Sequence, residues 1–228
     1  MIPKNAATGV AAVLLLSAVL FGCAANPKMV RDDYNQRASG IRSIGVLVPD
    51  LAYFDVSFGG VREKNDEASK QANENVVAAV KSVLAERGFA VTVIPREGKH
   101  KESLEEIAGL FDLIAWTYRG TVQTARSMDV FTHKAASFDY SVGPVGDILD
   151  AYHVDALLLI EGSGAGNSLF VHGGTAILIT LVDRSGALLW YKPYVQQQTG
   201  FTRRDIREPD DVREMMVTIF ATMQTVTK

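Results

Sequence analysis

Cysteine occurs once in the 228 residues, at position 23, so no disulfide can form within the chain. Charge of one sign is scarce too. Lys and Arg number 23 against 26 Asp and Glu, a net charge of −3, so the electrostatic footprint of a nucleic-acid binder is missing and no nucleic-acid partner is expected. No apolar run approaches the roughly 20 residues that a membrane-spanning helix needs. The one at the N-terminus, Val10–Phe21, has 12 residues. Internal repeats and low-complexity segments are absent. What remains is 47% hydrophobic and 21% charged, the composition of a globular protein.

The short apolar run is informative. Lys4 stands ahead of it as a positive n-region, and 12 residues is the length of a signal-peptide h-region. The run ends Leu20-Phe21-Gly22-Cys23. This stretch resembles the lipobox of bacterial lipoproteins, in which a small residue precedes a cysteine that is lipidated and becomes the new N-terminus. Leu20, Gly22 and Cys23 match that pattern, whereas Phe21 stands where a small or β-branched residue is commoner. The resemblance implies that residues 1–22 are a signal peptide and that Cys23 carries acyl chains, palmitate among them. Several chains hold a protein at a membrane where one gives only marginal binding. Ala24 follows, and in enteric-type sorting the absence of aspartate there directs a lipoprotein to the outer membrane, facing the periplasm. A plain secretory signal with a chance cysteine and a buried apolar helix are the other readings. Removing residues 1–22 takes away Lys4 alone among the charges, leaving −4 on 206 residues, enough to bury a full core.

Residues 23–40 are polar and read as a lipidated tether, which at roughly 17 residues beyond the cysteine would keep the domain within several tens of Å of the membrane. A single α/β domain follows over 41–228. Ile41–Val48 reads as a buried strand stopped by Pro49, and residues 50–64 as a loop. Asn65 or Asp66 caps a helix with Ala68, Ala72, Val76, Ala79, Val80, Val83 and Leu84 on one face, ended by Gly88. Val91–Ile94 is a strand, and a helix from about Ser103 carries Leu104, Ile107, Leu110, Phe111, Ile114 and Ala115. Residues 119–140 give no clear pattern. Gly143-Pro144 prepare a short helix, and Ala156–Ile160 is a central strand. Thr175–Val182 and Leu188–Tyr194 form a hairpin turned at Asp183–Gly186, and Pro209 opens the last helix. The order β-α-β-α-α-β-β-β-α predicts a mixed sheet of about five strands with helices on both faces.

Three stretches, Ile44–Pro49, Val154–Gly162 and Leu181–Trp190, resemble the periplasmic α/β domain shared by CsgG-type curli-secretion lipoproteins and the N-terminal domain of TolB. The resemblance implies a fold and an envelope setting, and it carries over no catalytic or binding residue. The long amphipathic hairpins that build a CsgG-type pore and the β-propeller of TolB have no counterpart here.

Motifs for chemistry are thin. Gly162-Ser163-Gly164-Ala165-Gly166 follows a strand, but a dinucleotide fingerprint requires G-x-G-x-x-G opening a helix. The glycines therefore read as a bend, with a phosphate-binding loop at Gly162, Gly164 and Gly166 as the alternative. His100, His133, His153 and His172 have no metal-ligand spacing, so neither a metal nor a cofactor is expected. Arg203, Arg204 and Arg207 interleave with Asp205, Glu208, Asp210 and Asp211 as an ion-paired loop or a small anion site. Tyr53, Phe54 and Phe58 lie beside Gly59-Gly60 after the first strand, where open α/β sheets place binding loops, and are the candidate partner contact. The expectation is a non-enzymatic envelope lipoprotein, an accessory or assembly factor of an envelope or secretion system, meeting an envelope protein or another copy of itself. The alternative is a small-molecule or nucleotide-binding module using the glycine loop.

Overall fold

A run of consecutive apolar residues can bury both of its faces only in the middle of a sheet, and Ala156–Ile160 lies there. The computed structural model describes residues 28–120, 136–166, 173–197 and 204–223. In chain order the elements are α1 (Tyr34–Ala38), β1 (Ser43–Leu47), β2 (Ala52–Val56), β3 (Arg62–Lys64), α2 (Asp66–Glu86) and β4 (Ala90–Ile94). Then come α3 (Lys101–Tyr118), α4 (Gly146–Tyr152), β5 (Ala156–Ala165), β6 (Gly174–Val182), β7 (Leu188–Gln197) and α5 (Pro209–Phe220). Among the described residues seven strands make one mixed sheet with helices on both faces. In β5, Ala156, Leu158 and Ile160 enter one core and Leu157 and Leu159 the other, the period of two of extended chain. Helices α2 and α5 cover the first face, α3 and α4 the second. Among the described residues no helix is long and apolar enough to cross a membrane.

The two edges of β5 are used differently. One pairs antiparallel with β6 from Leu157 to Ala165, and β6 pairs with β7. The other is divided. Residues Ile44–Val46 of β1 run parallel to Ala156–Leu158, with β4 parallel on the far side of β1. Pro49 has no N–H for the ladder, so β1 stops. After the break β2 joins the same edge of β5 further along, Ala52–Phe54 opposite Ser163–Ala165. Asn73 of α2 holds the break: its Oδ1 accepts the Leu51 N–H at 2.9 Å and its Nδ2 donates to the Leu51 carbonyl at 3.2 Å.

This corrects the reading of 50–64 as a loop. The segment is the antiparallel hairpin β2–β3, with Phe54–Val56 opposite Lys64–Arg62. Its strand signal is weak because Asp55, Arg62, Glu63 and Lys64 occupy it, as expected where an outer strand is protected by charge.

The glycine segment is corrected as well. Gly162 and Gly164 lie inside β5, paired with β6, and the Gly166 amide donates to the Phe54 carbonyl at 2.9 Å. A Cβ on Gly162 would stand 2.0 Å from the Ala176 carbonyl oxygen, and one on Gly164 2.6 Å from the Ile206 side chain. The glycines let neighbouring chain approach closely. Their amides serve the sheet, so the candidate phosphate loop does not exist as a loop.

The tether is shorter than the sequence indicates. Val30 bridges antiparallel to Trp190, Arg31 N–H donates to the Leu189 carbonyl and Tyr191 N–H to the Met29 carbonyl. Tyr34 and Ala38 are buried against the first core. The polar residues that made the segment look solvated are paired: Arg31 with Asp139, and Arg37 with Asp33 and Asp183. Residues 28–40 therefore pack on the domain, ahead of Ile41.

Candidate functional site

The fork in the sheet creates an unusual environment. Between the β1 and β2 pairings, Glu161 of β5 is directed to the α3 side, and Arg96, just past β4, reaches it. The Arg96 Nε donates to the Val48 carbonyl at 2.7 Å and its second arm meets Glu161 Oε1 at 3.2 Å. Burial pushes the Glu161 carboxyl up to about 7, against the pull of Arg96, and Asp112 and Asp50 add to the rise. A carboxyl whose folded value exceeds its ordinary 4.5 binds its proton more tightly in the native state. Its contribution is complete below that ordinary value and is lost as pH rises through 7. Thermal stability is therefore expected to fall by about 2–3 kcal/mol between pH 4 and pH 8 through this group. Glu161→Gln is expected to flatten that fall in melts across the same range, and an unchanged pH slope in the variant would contradict the assignment.

A groove of about 450 Å³ opens at the carboxyl end of β5. Phe54 and Arg62 of the β2–β3 hairpin form one wall, Trp116 of α3 and Arg119 another, and Val195 of β7 lies alongside, with Ser163 among the lining residues. The Arg119 guanidinium lies 5.5 Å from the centroid of the Trp116 ring. A smaller pocket of about 300 Å³ lies between the start of α3 and α4, and includes His100, Ser103, Glu106 and Asp147.

The three rings expected at a partner contact are separated. Tyr53 is 1% exposed, and its assignment as a contact is corrected: successive strand residues face opposite sides, and Tyr53 turns into the core. Its N–H donates to Ser69 Oγ at 2.8 Å, and the Arg207 guanidinium stacks on its ring at 4.5 Å. Phe54 is half-buried in the groove wall. Phe58 is 70% exposed at the hairpin tip, joined there by Val61 at 60%.

The arginine-rich segment before α5 is ion-paired. Arg207 pairs with Asp205 at 2.7 Å and Arg204 with Glu214 at 2.9 Å; Arg203 lies outside the described residues. Among the histidines, His153 ends α4 with a left-handed φ of 53°, and His100 precedes α3; His133 and His172 also lie outside. Among the described residues no group of three or more His, Cys, Asp or Glu side chains is placed to hold a metal ion.

Sequence reasoning missed Glu161, Arg96 and Trp116. Glu161 carried a legible signal, a lone carboxylate in an apolar strand. Trp116 carried a weaker one: with Leu110 and Leu113 it makes the second half of α3 apolar beyond its core stripe.

No protein-family model matches the chain, and no curated protein matches its sequence. Among solved structures the chain is similar to the PelC dodecamer from Paraburkholderia phytofirmans at 9% identity and a TM-score of 0.39, covering 81% of this chain and 89% of that one. It is also similar to lipoprotein GNA1162 from Neisseria meningitidis at 14% identity and a TM-score of 0.35, covering 81% of this chain and 99% of that one.

Proposed function

We propose that this chain is a lipid-anchored envelope protein of the outer membrane, facing the periplasm, that acts as a non-enzymatic accessory to a membrane-associated neighbour. The observation that carries the reading is the position of the sole cysteine. Cys23 closes the apolar run in a lipobox-like context, and Val30, seven residues later, is already paired with Trp190 of the domain. A domain held that close to a membrane meets the neighbours of that membrane at a high effective concentration.

The hairpin tip with Phe58 and Val61 is the contact this reading assigns, since large apolar side chains exposed on a projecting turn suit a protein interface. A photo-crosslinking residue at position 58 is expected to capture an envelope protein, or a second copy of this chain, in intact cells. Phe58→Ser with Val61→Ser is expected to abolish a crosslink placed beside the tip, at Gly59, while leaving the melting temperature within a few degrees of the native value. A crosslink that survives the double substitution would remove the tip from the account. Turnover of an envelope metabolite by the purified protein would overturn the non-enzymatic reading.

A further inference from the structure

We infer that the second half of α3 is a lipid-contacting surface, with Leu113 and Trp116 seated in the interface of the bilayer that holds the anchor; this rests on the lipidation of Cys23 proposed above. The helix changes character along its length. Its exposed positions from Lys101 to Glu106 are Lys101, Glu102, Ser103, Glu105 and Glu106. From Gly109 to Thr117 they are Gly109, Leu110, Leu113, Trp116 and Thr117, without a charge among them. Leu113 is 63% exposed and Trp116 56%. Asp112, the one charged residue in that stretch, is half-buried, and its charge acts on Glu161. Tryptophan with an arginine beside it suits the boundary between acyl chains and headgroups, where the ring is partly apolar and the cation stays wet.

Place and direction name the occupant. The Tyr118 hydroxyl donates to the Lys28 carbonyl, so the last turn of α3 holds the point at which the chain arrives from Cys23. Five residues reach at most about 17 Å, and the acyl chains on Cys23 must enter the bilayer within that distance. Trp116 is two residues from Tyr118. The Val30–Trp190 bridge is antiparallel, so Lys28 lies on the side of Met29 that faces the carboxyl end of β7. Val195 there shares the groove with Trp116. Lys28, five residues from the anchor, thus sits beside the uncharged half of α3, and the acidic half lies at the helix's other end.

The chain has two tryptophans, and Trp190 is buried, stacked on Phe220. The emission lost in Trp116→Phe is therefore that of Trp116. The lipidated protein, purified from a host that processes lipoproteins, would be mixed with vesicles of phosphatidylethanolamine and phosphatidylglycerol, with and without brominated acyl chains. The expected result is that Trp116 emission shifts to the blue on binding and is quenched by the brominated lipid. Serine at both 113 and 116 leaves the protein on the vesicles through its anchor, but removes the contact. Protein that floats with vesicles while Trp116 stays accessible to aqueous iodide would overturn the lipid contact and leave the anchoring intact. A blue shift without bromolipid quenching would assign the face to protein and overturn it too. Protein that carries no lipid and does not float would overturn the anchoring, and this inference with it.

Discussion

Gly162→Val is expected to unfold the domain, and Gly162→Ala to come close to doing so. Gly162 has a φ of +152°, which side chains of L configuration rarely adopt and which costs about 1–3 kcal/mol. Its missing Cβ would also stand 2.0 Å from the Ala176 carbonyl oxygen, a backbone atom of the paired strand β6 that cannot turn aside. Moving β6 would disturb a strand that pairs with β5 along nearly its whole length and carries β7 beyond it. Strain and overpacking together put the loss at about 4 kcal/mol or more, a large part of the stability of an ordinary domain. Alanine brings the same Cβ, so its cost should be nearly as great. Gly59, around which a Cβ would meet nothing within 4 Å, is the control, and Gly59→Ala should change stability by at most about 0.5 kcal/mol. Denaturant unfolding followed by circular dichroism reads all three. A Gly162→Ala protein as stable as the native one would show that the glycine segment is not the strand described. Gly186 belongs to the same class. At a φ of 81° and with its Cβ position 1.6 Å from the Gly143 carbonyl oxygen, it tolerates a side chain less well than an ordinary left-handed turn residue.

Cys23→Ser is expected to move the whole population of the protein out of the lipid-anchored state. Serine presents a hydroxyl in place of the thiol that the proposed lipobox-type maturation would acylate, so that maturation could not proceed. The product is either a precursor that keeps residues 1–22 or a soluble domain. In the cleaved form without acyl chains, the proposed lipid contact of α3 remains, and a few interfacial side chains give weak, reversible binding, whereas several acyl chains hold firmly. Fractionation of the envelope in the native and Cys23→Ser strains reads the result. Equal membrane retention of a processed, soluble-domain-sized variant would mean that something other than the lipid holds the protein.

How much of this the sequence carried varied by element. Helix α2 was legible in full, because the Asn65 side chain accepts the Ala68 N–H at 2.9 Å and each of the seven apolar positions assigned to its inner face is buried. Helix α5 and the β6–β7 turn were equally legible; the Asp183 carboxylate accepts the N–H groups of Ser185 and Ala187, fixing the turn that Gly186 permits. The hairpin β2–β3 was not, because a charged outer strand with two glycines at its tip lacks the alternation that marks a half-buried strand. The segment 28–40 was hidden for a different reason: its charges are satisfied by Asp139 and Asp183, more than a hundred residues away. The candidate site suffered most. Exposure of Tyr53 and Phe54 depends on which face of β2 each occupies, and that of Phe58 on its place at the hairpin tip; a segment read as a loop has neither faces nor a tip. The apolar half of α3 was visible as letters, but Leu110 was assigned to the core because periodicity alone does not say how wide the buried stripe is.

The central claim is that the mature chain begins at Cys23 and carries lipid there, which the intact mass of the protein extracted from its native envelope tests directly. The expected mass is that of residues 23–228 plus the acyl groups, with the added mass confined to the peptide containing Cys23 after digestion. A mature chain that retains residues 1–22, or one that has lost them and carries an unmodified Cys23, would contradict it.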